Sequence, residues 1–102
     1  MLERTIEAHL VKRVHELGGE VRKVKWIGRR GAPDRLVMLP LTWSAARVDF
    51  LNDSQTTIWV ELKAPGEKAK PHQAREHKRM RAMGQQVVVI DSIEGVEELL
   101  NA

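Results

Sequence analysis

The chain has 102 residues, 42% of them hydrophobic, a formal net charge of +3 and no cysteine. That length suits one domain spanning residues 1–102, and the apolar content is too high for a disordered chain. The missing thiols exclude a disulfide framework and a thiolate zinc site.

Residues 3–17 read as a helix, because Leu2, Ile6, Leu10, Val14 and Leu17 recur at spacings of three and four before Gly18-Gly19 stops them. The charged start Met1-Leu2-Glu3-Arg4 lacks the apolar stretch of a secretion signal. No apolar run approaches the roughly 20 residues that cross a bilayer, so a soluble, cytoplasmic protein with no membrane partner is expected. Residues 20–27 read as a strand with imperfect alternation, followed by the turn-forming loop Gly28 to Pro33. Arg35 to Leu39 is a second strand, ended by Pro40. Residues 41–55 are ambiguous, with a short strand from Ala45 to Leu51 and a turn at Asn52-Asp53-Ser54 as one reading. Thr56 to Lys63 is the clearest strand, β-branched and alternating. A helix starts near Pro71 and ends at Gly84, Val87 to Ile90 is a short apolar strand, and Ser92 caps a last short helix from Ile93 to about Leu100. The order αβββαβ plus a short C-terminal helix predicts an α/β domain, a mixed β-sheet flanked by helices.

Side chains alternate across a strand, so Ile58, Val60 and Leu62 share one face and Trp59, Glu61 and Lys63 share the other. The first face is a core stripe. The second ends in a carboxylate and an amine, just before Pro65 breaks the strand. Taken alone, Glu61-Leu62-Lys63 reads as well as a surface ion pair of little value. Pro33-Asp34, where the loop becomes a strand, reads alone as a turn aspartate. Together the two carboxylates on adjacent strands form an all-oxygen site that suits Mg²⁺ or Mn²⁺, and Lys63 beside them can stabilise developing negative charge. Phosphodiester hydrolysis needs these parts.

Basic residues gather as Arg22-Lys23-Lys25, Arg29-Arg30-Arg35, Lys63-Lys68-Lys70 and Arg75-Lys78-Arg79-Arg81. Such clusters favour a polyanion, although 17 basic against 14 acidic residues fits ordinary solvated faces equally well. Arg29, Arg30, Arg35, Lys68 and Lys70 are the expected DNA contacts.

Gly31-Ala32-Pro33-Asp34 followed by Glu61-Leu62-Lys63 resembles the PD-(D/E)xK nuclease superfamily, and more narrowly its stand-alone VRR-NUC domains. The resemblance runs through Ile6-Glu7, Gly18-Gly19, Arg30 to Arg35, Val60 to Pro65, Gln73 and Gly84. The stretch 41–55 departs from it by being longer than a tight hairpin needs. What the resemblance implies is a restriction-endonuclease-like core and a catalytic set of Glu7, Asp34, Glu61, Lys63 and Gln73. Asp34, Glu61 and Glu7 would be the metal ligands, with Glu3, one turn earlier, as the alternative to Glu7.

It further implies a Mg²⁺- or Mn²⁺-dependent endonuclease acting on branched DNA, chiefly four-way junctions, as a homodimer. Two opposed nicks call for two sites related by a two-fold axis. Competing readings are a non-catalytic nucleic-acid-binding module and a nuclease for flaps or other DNA. Gln73, His77, Met80 and Gly84 share one helix face that should meet the sheet, with His77 read as a partly buried structural residue. Of Trp26, Trp43 and Trp59, at least two are expected in core or dimer packing.

Overall fold

The computed structural model describes residues 1–45 and 56–101. In chain order they form α1 (Glu3–Glu16), β1 (Glu20–Lys23), β2 (Arg35–Met38), α2 (Leu41–Ala45), β3 (Thr57–Leu62), α3 (Pro71–Ala82), β4 (Val87–Ile90) and α4 (Ile93–Asn101). One four-stranded sheet runs β1-β2-β3-β4. The first three strands are antiparallel neighbours, and β4 lies parallel to β3. A parallel neighbour needs a crossover, and α3 supplies it. This is the mixed sheet with flanking helices that the element order predicts, plus the short helix α2.

The apolar spacing of α1 explains its seat. Ile6, Leu10 and Val14 are fully buried and pack with Val37, Ile58, Val60, Leu62 and Ile90 of the sheet and with Val96 and Leu100 of α4. Leu2, which the stripe would have included, precedes the helix and is exposed. Glu97 of α4 takes hydrogen bonds from His9 at 2.9 Å and from Arg13 at 3.0 Å, tying α4 to α1. Ser92 caps α4 through the Gly95 N–H at 2.9 Å. Gly19 is the tightest backbone approach: a Cβ there would lie 2.3 Å from the Met38 carbonyl oxygen. Only glycine lets the chain leave α1 against β2.

Two elements differ from their expected extent. β1 stops at Lys23 instead of running to Ile27, because its partner β2 begins at Arg35 and Lys23 is already paired with it. One further bond, Val24 N–H to Asp34 O at 2.9 Å, extends the contact, and Ile27 then stands exposed. The stretch after Pro40 opens as α2, whose Trp43 packs against the core and donates its indole N–H to Leu100 O at 3.2 Å. Ala45, where one reading begins a strand, closes α2 instead, and the rest of that strand to Leu51 and the turn at Asn52 to Ser54 lie outside the described residues. Among the described residues, no helix is long and apolar enough to cross a membrane.

Candidate active site

The alternation of β3 sends Ile58, Val60 and Leu62 into the α1–α4 core and its other side chains towards α3. Glu61 and Lys63 are both buried there, at 9% and 8% exposure, which is unusual for charged groups. Lys63 follows the last residue of β3, but its N–H still donates to Ile90 O at 2.9 Å, so the pairing with β4 fixes its direction. Its ammonium donates to Gln73 Oε1 at 2.8 Å. That same oxygen accepts the Lys70 backbone N–H at 2.8 Å, closing the first turn of α3. One turn further on, His77 Nε2 stands 3.4 Å from Glu61 Oε1.

Asp34 reaches the same end of the sheet on a loop fixed at several points. Pro33 is buried and its carbonyl accepts the Trp26 indole N–H at 2.8 Å. Gly31 has φ +87°, and a Cβ there would come 2.8 Å from His72 O, so the loop lies directly on the first turn of α3. The Asp34 side chain remains half exposed and pairs with Arg35 Nη1 at 2.8 Å. Arg35 also forms a close ion pair with Glu7, bridging the loop to α1.

These charges act on one another. Burial first, then the neighbouring carboxylates of Asp34 and Glu3, push the Glu61 carboxyl up to about 7 against the opposing pull of Lys63 and Arg35. A buried carboxylate held against two others is where a divalent cation stabilises the ionised form, and carboxylate oxygens suit Mg²⁺ or Mn²⁺. The donor set therefore fits such an ion. Glu3 acts on Glu61, whereas Glu7 is held by Arg35. Among the described residues, no three acidic or histidine side chains are drawn close enough to hold a metal by themselves. Water and a substrate oxygen would have to complete the coordination.

The expected DNA contacts divide into two kinds. Arg29 makes a two-pronged pair with Glu76, both bonds 2.9 Å, and Arg79 joins the same carboxylate at 2.7 Å. These two guanidiniums hold buried Glu76 down at about 2. Arg29 and Arg35 thus serve internal pairs. Arg30, Lys68 and Lys70 enter no ion pair among the described residues. The field at the start of α3 is positive: burial first, then Arg30, Lys70, Arg75 and Lys63, lower the His72 pKa. Sequence reasoning missed Glu76, whose burial is visible only once Arg29 folds over it. It also missed that Trp26 and Trp59 meet each other, with ring centroids 5.2 Å apart, beside this site.

No family model matches the chain. A phage protein, "Putative nuclease p44" of Acyrthosiphon pisum secondary endosymbiont phage 1, is 48% identical over 90 residues, covering 88% of this chain and 83% of that protein. A solved structure described as a VRR_NUC domain superposes with a TM-score of 0.76 at 36% identity, covering 97% of this chain and 94% of the other.

Proposed function

The chain belongs to the VRR-NUC nuclease family, and from that premise we propose that it is a Mg²⁺- or Mn²⁺-dependent DNA endonuclease working on branched substrates, chiefly four-way junctions. The observation that carries this reading is the burial of Glu61 and Lys63 side by side on one strand face, with Asp34 acting on Glu61 from the adjoining loop.

Asp34 and Glu61 would hold the cation, with Glu3 or Glu7 as the third acid. Bound there, the ion supplies an activated water and neutralises charge on the scissile phosphate. Lys63, fixed by Gln73, stabilises negative charge as it develops on the phosphate oxygens. Arg30, Lys68 and Lys70 contact the DNA backbone, while Arg29 and Arg35 brace the loop that presents Asp34. The domain acts in the cytoplasm as a homodimer, since paired nicks across a junction call for two related sites.

The test is a cleavage panel: a four-way junction, a flap and a linear duplex, each with EDTA, Ca²⁺, Mg²⁺ or Mn²⁺. Junction cleavage with Mg²⁺ or Mn²⁺ alone is the expected result. Tight binding with no cleavage of any substrate would support the non-catalytic module instead. Sedimentation showing monomer alone at working concentration would remove the homodimer.

A further inference from the structure

The face of α3 that meets the sheet is matched to β3 level by level. Lys63 meets Gln73, Glu61 meets His77, and Trp59 lines one cavity with Met80. The spacing has a simple origin. Four residues of helix, Gln73 to His77, rise about 6 Å and two residues of strand, Lys63 to Glu61, about 6.6 Å, so the two hydrogen-bonded levels stay in step. Gln73 fixes the charged end of Lys63. His77 occupies the equivalent place over Glu61.

His77 is 1% exposed, and a buried imidazole needs hydrogen-bond partners. Its Nε2 lies 3.4 Å from Glu61 Oε1, at the long end of a hydrogen bond. A carboxylate oxygen only accepts, so the imidazole nitrogen that faces it serves as partner by donating Nε2–H. Carboxylate ligands of metal ions are themselves commonly held by a second hydrogen bond of this kind.

We propose that His77 is a positioning residue for the cation site: its Nε2–H holds Oε1 of Glu61 and leaves the second oxygen for the metal. This rests on the metal-dependent reading above. It assigns α3 two tasks, orienting the amine through Gln73 and the carboxylate through His77.

The experiment is a titration of the DNA-free protein with Mn²⁺, followed by electron paramagnetic resonance, for the parent, His77→Leu and His77→Gln. His77→Leu fills the space without a donor and should bind Mn²⁺ about 10- to 100-fold more weakly. His77→Gln returns an N–H near the Nε2 position and should recover most of that loss, which a space-filling role would not require. If His77→Leu does not fold by circular dichroism, His77→Asn replaces it, with an amide too short to reach Glu61 and the same weakening expected. Folded His77→Leu or His77→Asn binding Mn²⁺ as tightly as the parent overturns the assignment. A parent that binds no Mn²⁺ overturns the metal site itself and His77's task with it.

Discussion

Gln73 Oε1 accepts two hydrogen bonds of 2.8 Å, one from the Lys63 ammonium and one from the Lys70 backbone N–H. One amide thus closes the start of a helix and aims a lysine that lies ten residues back on a strand. Gln73→Leu removes both bonds while keeping a side chain of similar bulk. Cleavage should fall by up to about 10²-fold, the scale of a small misplacement of a catalytic group. Lys63→Ala and Asp34→Ala should abolish cutting and leave junction binding in gel-shift assays close to the parent. Full activity in both variants would remove the site assignment.

Glu61 gives a pH dependence whose sign follows from its environment. Its carboxyl is raised from the ordinary 4.5 to about 7, so the folded state holds the proton more tightly than the unfolded chain. The resulting stability is present below 4.5 and is lost as pH rises through about 7. Glu61→Gln removes that loss, and at about pH 8 it should raise stability by up to roughly 3 kcal/mol, with little gain at about pH 4. Urea unfolding at the two pH values measures it. The same variant should cut no DNA, and Mn²⁺ affinity of the parent should climb as pH passes through about 7.

Glu76 runs in the opposite direction. Arg29 and Arg79 hold its carboxyl at about 2, so the stability it contributes is present above 4.5 and is lost as pH falls through about 2. Arg29→Ala leaves a buried carboxylate with fewer partners and should lower the melting temperature as well as DNA affinity. Arg30→Ala and Lys70→Ala should keep the melting temperature and weaken binding alike on all sequences, each reducing the salt slope by about one. Equal thermal behaviour in the three variants would contradict the division into bracing and DNA-facing basic residues.

Gly31→Ala should damage activity from outside the charged cluster. At φ +87°, with a Cβ 2.8 Å from His72 O, the loop would have to lift from α3, at a cost of about 1–3 kcal/mol. Asp34, three residues on, would move with it. Cleavage should fall more steeply than the melting temperature, a comparison read from single-turnover rates beside thermal scans.

The pattern of β3 was legible in the sequence because alternation is a local rule: it places Glu61 and Lys63 together whatever the rest of the chain does. The α1 stripe of Ile6, Leu10 and Val14 was legible for the same reason. Periodicity also turned His77 towards the sheet, but it could not name Glu61 as the residue opposite. That depends on how far α3 slides along β3. The bridge from Arg35 to Glu7 and the clasp of Arg29 on Glu76 join residues 28 and 47 positions apart, beyond any local pattern. β1 was read too long since its end is set by where β2 begins, a matter of pairing and not of composition.

The parallel pairing of β4 with β3 also bears on when the chain becomes active as it folds. The antiparallel β1–β2–β3 ribbon can pair without α3, whereas β4 joins β3 only after the crossover has closed. Gln73 and His77 ride on that crossover. A refolding chain should therefore recover its β1–β2–β3 sheet before its cutting activity, and a ribosome-bound chain should stay harmless to DNA until its last strand has emerged.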